Sequence, residues 1–473
     1  MPGHVLLIHG WSASDKSMAE IGHFLTGHGY QIADLFLGGY PSMSDDVRVA
    51  DSARRMQAVI AEMQADGRLP ARFHLIVHST GALVARRWLA DIYPAGGAPV
   101  DNLLMLAPAN FGSPLATLGR SLLTRVIKGW KRGFQTGTEF LHALELGACA
   151  QQDIALVDRL SPDGETTSPF SATGTRPFVI VGACQIPGTQ ILGEEAWDGT
   201  VRIASANIDP QGLTVDFTTG SLPDRHHLTI LRPAAKWSES GDTATAGQLS
   251  QLILGALSVK TAAAYLQAAE RWAAICDETR KLAQDGAEAD ALRERILGRA
   301  SANKSRFNEF YQIVVDAVDE PGLPVTDYQL WLTAPKVSGR NSVTSGKPIT
   351  RVEIDAHNNL IKAAHRNRRN SERRVLHIDR RALLQSEGFL RKTLTRAYEP
   401  VLAAAITAAS PGDKIAYFSK DAREGSGLIR LRTHSPSSAA GGDRFLRRYA
   451  THFLRVIIPR VLDNDVFTVR PLG

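Results

Sequence analysis

The 473 residues predict an α/β fold with a mostly parallel sheet in the first half and an antiparallel, β-rich fold in the second. Two observations carry this. Up to about residue 235, short apolar β-prone runs alternate with helical patterns, the order that builds parallel sheets. From Phe310 the apolar period changes to two, with turn residues between the runs. The composition, 44% hydrophobic and 22% charged, is that of a globular protein, and the length exceeds what one core organises. The expected division is a first domain at 1–247 with an insertion at 115–175, a helical connector at 248–305 and a β-rich accessory domain at 306–473.

The first strand is "VLLI", Val5 to Ile8, ending in His9-Gly10-Trp11, and "YQIADLFLG" is the second. Between Asp45 and Met63, Val49, Met56, Val59 and Ile60 repeat at helical intervals. "FHLIV" is a third, fully apolar strand that suits a buried parallel position. A helical pattern with Leu83, Val84 and Trp88 begins at Gly81, so His78-Ser79-Thr80 must turn in almost no length. "VDNLLML" is the next strand and "APANFGSP" its turn. "RPFVIVGA" precedes Asp198-Gly199, and "GLTVDFTT" separates that dipeptide from "LPDRHHLTIL".

An abrupt strand–serine–helix turn has two readings. It is either an ordinary junction with Ser79 as a helix cap or a strained elbow that exposes a nucleophile. The motif Val77-His78-Ser79-Thr80-Gly81 is G-x-S-x-G with valine in place of the first glycine. Five segments in order resemble the α/β-hydrolase superfamily, lipase- and esterase-like members in particular: the H-G-W loop, the elbow, the A-P-x-x-G-S-P turn, the D-G-x-V loop and the histidine loop. The resemblance covers about residues 3–235. It implies Ser79 as nucleophile, Asp198 as acid, and His227, with His226 as the alternative, as base. The backbone N–H groups of Trp11 and Thr80 would meet the oxyanion. Asp209, Asp216 and Asp224 are weaker candidates for the acid. The reaction implied is serine-dependent hydrolysis of a lipid or phospholipid acyl ester, with no cofactor and no metal. Acyl transfer or amide hydrolysis on the same fold, and a catalytically silent binding module, are the alternatives.

The insertion corresponds to the lid region of that superfamily. Within "RSLLTRVIKGWKRGF", Leu122, Leu123, Val126, Ile127 and Trp130 share one helical side, and Arg120, Arg125, Lys128, Lys131 and Arg132 the other. This is either a helix for an anionic membrane surface or one packed on the core with solvated cations. The net charge of +6 equals the excess in 351–400, where twelve Lys and Arg face six Asp and Glu. That region is a second candidate for an anionic surface or a simply solvated face; nucleic acid is not expected, and a protein partner is not identified. Cys149, Cys184 and Cys276 have no metal-type spacing and read as reduced thiols. With no signal segment and no run of about 20 apolar residues, the expectation is a cytoplasmic chain, with signal-independent export left open.

In the second half, "YQIVVDAVDEPGLPVTDYQLWL" reads as strand, turn, strand. "TRVEIDAHNNLIKAA", "DKIAYFSKDAREGSGLIRLR" and "NDVFTVRP" repeat the hairpin theme, and a helix is expected near Leu390 to Ala409. The whole reads as a small antiparallel β-sandwich with no recognised family.

Overall fold

The computed structural model describes residues 3–10, 18–35, 45–117, 137–158, 168–184, 196–208, 215–216, 246–268, 270, 281–297, 307–333, 351–385, 403–417, 429–432, 449–462 and 466. The chain divides into two compact units, Met1–Glu309 with Tyr449–Thr451, and Phe310–Arg448 with His452–Gly473. Among the described residues no helix is long and apolar enough to cross a membrane.

The first unit is built on six parallel strands: β1 (His4–Ile8), β2 (Gln31–Leu35), β3 (Phe73–His78), β4 (Val100–Leu106), β5 (Arg176–Ile180) and β6 (Val215–Asp216). Their order is β2-β1-β3-β4-β5-β6. All six residues of β3 are buried, because a central parallel strand is covered on both faces. Helices α1 (Ala19–Gly27), α2 (Val49–Ala65) and α3 (Thr80–Ile92) connect the strands. α2 and α3 are joined by the Trp88 indole N–H, which donates to Gln57 at 2.6 Å. Two helices of the insertion, α4 (Thr138–Leu144) and α5 (Cys149–Asp158), bury Phe140, Leu144 and Ile154. The amphipathic helix expected at 120–134 lies outside the described residues.

Helix α6 (Ala246–Ser258) and the helical turn at 262–268 lay Leu249, Leu252, Ile253, Ala256 and Tyr265 on the sheet core with Leu104, Phe178 and Ile180. Each buried aliphatic side chain there contributes roughly 1.5–3 kcal/mol. The Asn102 amide donates to the carbonyls of Leu257 and Val259, which fixes the chain beyond the helix. Tyr449 donates to the carbonyl of Phe307, and the Thr451 hydroxyl to that of Ala204, so three residues from near the C-terminus complete this unit.

The second unit is a β-sandwich. One sheet has four strands in the order β14-β7-β10-β9, with β7 at Phe310–Asp319, β9 at Ile361–Arg366, β10 at Arg373–Asp379 and β14 at Thr451–Ile458. The other runs β13-β11-β8, with β8 at Tyr328–Thr333, β11 at Ala403–Ala408 and β13 at Ile429–Arg432. Tyr311, Ile313 and Val315 of β7 and Leu376 and Ile378 of β10 meet Leu330, Leu332 and Ile406 of the second sheet in one core. The alternation along β7 sets this register: its other face carries Phe310, stacked on His377 at 4.3 Å, and Asp316, which accepts from Arg455.

Four local expectations are corrected. The run from Tyr311 to Leu332 is not one hairpin: beyond a single bridge, Val318–Pro324, β7 and β8 belong to different sheets, and the intervening turn lets the chain cross the sandwich. Likewise β12 (Ile415–Tyr417) pairs with β15 (Arg460–Leu462), not with β13. Arg351–Leu360 is a helix, its His357 Nδ1 accepting the Leu332 N–H at 2.9 Å. Conversely, alanine-rich 403–408, expected to be helical, is the middle strand of its sheet. Pairing on both sides outweighs a propensity of a few tenths of a kcal/mol per residue. Most of the expected helix near 390, and the closing "NDVFTVRP" apart from Val466, lie outside the described residues.

Candidate active site

In an open parallel sheet, ligands bind beyond the carboxyl ends of the strands, where the strand order reverses. Here that point lies between β1 and β3, since β1 pairs with β2 on its other side. Gly10 lies two residues beyond the end of β1, and Ser79 directly follows β3. They meet at close range: a Cβ added to Gly10 would lie 2.6 Å from Ser79 Cβ and 2.8 Å from the His78 carbonyl oxygen. Gly81 is under the same constraint, at 3.1 Å from the Ile8 carbonyl oxygen and 3.2 Å from that of His9. The loop after β1 therefore rides directly on the turn after β3. Val77, where the elbow motif has glycine, is a regular member of β3 in register with Ile8 and Met105. Close approach is supplied by Gly10 and Gly81 instead.

Ser79 has φ 52° and ψ −120°, a conformation that a residue with a Cβ adopts only under constraint. The constraint is visible. The Ser79 N–H donates to the Leu106 carbonyl at 3.0 Å, and its own carbonyl accepts from Ala82 and Ala109. The residue is 6% exposed. Thr80 opens α3, so its backbone N–H belongs to the positive end of that helix.

Asp198 is buried, and one of its carboxylate oxygens accepts the N–H groups of Thr200 at 2.9 Å and Val201 at 2.7 Å. Gly199 takes φ 91° and Ala196 φ 48° to close this tight loop. His226, His227 and Trp11 lie outside the described residues, as do Asp209 and Asp224. Asp216 falls in the two-residue edge strand β6. Among the described residues no group of His, Cys, Asp and Glu could hold a metal ion.

What ties Ser79 to Asp198 is the loop at 107–113, whose role sequence patterning did not reveal. Ala109 donates to the Ser79 carbonyl. The Ser113 hydroxyl donates to the Thr200 carbonyl at 2.6 Å, and Ser205 Oγ to that of Gly112 at 2.8 Å. The Asn110 amide donates to Ala206 at 2.7 Å. The loop is braced in turn by Arg86 of α3, which donates to the Asn110 carbonyl and makes a two-point bond to Asp158 at 2.7 and 2.9 Å. Both members of that ion pair are fully buried. Their partners are 72 residues apart, so no local pattern announces them.

This elbow, beneath a glycine loop at the switch point of a parallel sheet, decides the fold. The first unit is an α/β-hydrolase fold. Solved structures agree over the whole chain. The phospholipase PlaB from Legionella pneumophila has a TM-score of 0.72 at 21% identity, covering 98% of this chain and 95% of that one. The same phospholipase in complex with thio-NAD has a TM-score of 0.71 at 22% identity, covering 99% and 96%. No protein-family model and no curated protein sequence matches the chain. The fold is thus the α/β-hydrolase one that the ordered motifs implied, followed by a β domain.

Proposed function

We propose that the protein is a serine carboxylic-ester hydrolase acting on a lipid or phospholipid acyl ester. The observation that carries this reading is the strained Ser79 backbone, held at the carboxyl end of β3 beneath Gly10. An ordinary helix cap needs no such conformation. The near-full-length likeness to a phospholipase supports a lipid substrate.

In this reading His227, or His226, takes the Ser79 hydroxyl proton as the oxygen attacks the acyl carbonyl. Asp198 orients the imidazole and stabilises its cation. The Thr80 and Trp11 N–H groups receive the negative charge on the tetrahedral oxygen, one such donor being worth about 3–4 kcal/mol. The protonated histidine then gives its proton to the leaving alcohol, and a water molecule, activated by the same base, frees the acid. The basic amphipathic segment at 120–134 and the basic region at 351–400 would bring the enzyme to anionic membrane.

A fluorophosphonate probe tests the nucleophile. It should label the wild type and not Ser79→Ala, and activity on phospholipid vesicles should parallel labelling. No labelling of the folded wild type would leave a silent binding module. Separate His226→Ala and His227→Ala variants decide the base: the inactive one identifies it, and His227 is expected.

A further inference from the structure

We propose that the β9–β10 hairpin and the 320–324 turn of the second unit form a docking surface for anionic lipid headgroups. The hairpin tip is rigid. The buried Asn367 side chain accepts the backbone N–H groups of Arg369 at 3.1 Å and Asn370 at 2.8 Å, and backbone bonds join Asn367 to Arg373 and Arg373 to Asn370. Arg368 and Arg369 are thereby presented to solvent from a fixed backbone. Behind them, Arg366 donates to two neutral carbonyls, Ser371 at 2.9 Å and Thr326 at 2.9 Å. Arg374 lies 3.8 Å from the centre of the Tyr328 ring. Backbone carbonyls and an aromatic face orient these two guanidiniums without neutralising them, and this leaves their charge available to an anion.

The contact from Arg366 to Thr326 brings the cations beside the turn Pro321-Gly322-Leu323-Pro324, which ends two residues earlier. All four residues of that turn are exposed, Leu323 at 54%. The turn is also rigid: Gly322 has φ 87° and donates to the Asp319 carbonyl, while the Leu323 N–H donates to the Asp319 carboxylate at 2.8 Å. Asp319 itself is buried and holds Arg460. The acidic groups on these elements that are not buried are Glu320, Asp327 and Glu372, fewer than the four arginines together with exposed Lys362. An exposed leucine between prolines, beside a fixed arginine cluster, suits a bilayer interface: the apolar tip enters the headgroup layer and the cations meet lipid phosphate. Nucleic acid would use the arginines but give the leucine no role.

The inference rests on the lipid reading above for its biological sense, but its test does not require turnover. The full chain carrying Ser79→Ala is floated with vesicles of phosphatidylcholine, with and without phosphatidylglycerol. Binding to the anionic vesicles should exceed binding to the neutral ones and weaken as salt rises from about 0.05 to 0.5 M. Arg368→Gln combined with Arg369→Gln should lower anionic-vesicle binding about 30-fold, close to fivefold per cation. Leu323→Asp should weaken binding to both vesicle types. Both sets of positions are exposed, so melting temperatures should hold; if one variant fails to fold, the other still decides. Unchanged binding by the arginine variant overturns the proposal, as does binding of an oligonucleotide with no binding to vesicles. Vesicle binding without fluorophosphonate labelling would retain this surface and remove the hydrolase reading; labelling without vesicle binding would do the reverse.

Discussion

Gly10 stands so close to Ser79 that the smallest side chain would collide with it, at 2.6 Å between the two Cβ positions. The second obstacle is a backbone oxygen, that of His78 at 2.8 Å, which cannot rotate away. Gly10→Ala should therefore push the β1 loop off the elbow. A loss of about 1–3 kcal/mol in stability is expected from overpacking, with at least about 100-fold lower ester turnover because the oxyanion donors are misplaced. Urea unfolding and single-turnover kinetics on a short-chain ester measure the two effects separately.

At Ser79 itself the conformation and the chemistry separate. Ser79→Ala should lower kcat on the order of 10⁶-fold and keep the strain, since alanine also carries a Cβ. Ser79→Gly should be equally inactive yet more stable than Ser79→Ala by about 1 kcal/mol, because glycine tolerates φ 52°. Equal melting temperatures for the two variants would show that the turn stores no strain.

Asp198→Asn preserves size and keeps an oxygen for the N–H groups of Thr200 and Val201. In the proposed triad it removes the charge that would orient the base. The expected result is a fall of about 10⁴ in kcat with a normal melting temperature. Wild-type turnover would move the acid's role to another carboxylate.

Arg86 and Asp158 are both fully buried, so removing one partner strands the other's charge. Asp158→Leu or Arg86→Met alone should cost about 3–5 kcal/mol, whereas the double variant should recover most of that loss. A double-mutant cycle by chemical denaturation checks this. Activity of the double variant should stay depressed, because the Asn110 carbonyl loses its donor.

Burial lowers the proton affinity of the His74 ring, with Arg176 and Lys260 adding to the effect and Asp101 opposing it. The folded chain thus binds fewer protons here than the unfolded chain once pH falls through 6.5. Stability from this site is complete above that value and is lost as pH drops below it. His74→Leu should flatten this part of the stability–pH curve. His357, also lowered by burial, should add a second contribution, separable with His357→Gln.

The parallel half of the fold was legible because short apolar-rich runs alternate with helical patterns; β3 and α3 are the plainest case. The turns that carry Ser79 and Asp198 were legible because turns that tight restrict residue choice. The sandwich was harder. A period of two marks a strand but not its partner, so β7 and β8 looked like one hairpin although they serve opposite sheets. Ala403–Ala408 became a strand through pairing with residues distant in sequence. The brace from Arg86 through Asn110 to Ala206 depends on contacts 24 and 96 residues apart. No window of sequence contains such contacts.

The three residues Tyr449–Thr451 that finish the first unit bear on how the protein is made. A ribosome that has just completed Glu309 has supplied nearly all of that unit, yet the donors to the Phe307 and Ala204 carbonyls are still untranslated. At roughly 5–20 residues per second, they emerge on the order of ten seconds later, after most of the second unit. The nascent first unit must wait, incomplete, while the sandwich is synthesised. A nonsense mutation just before Tyr449 would accordingly leave a permanent gap beside Phe307 and Ala204, rather than simply shortening the tail.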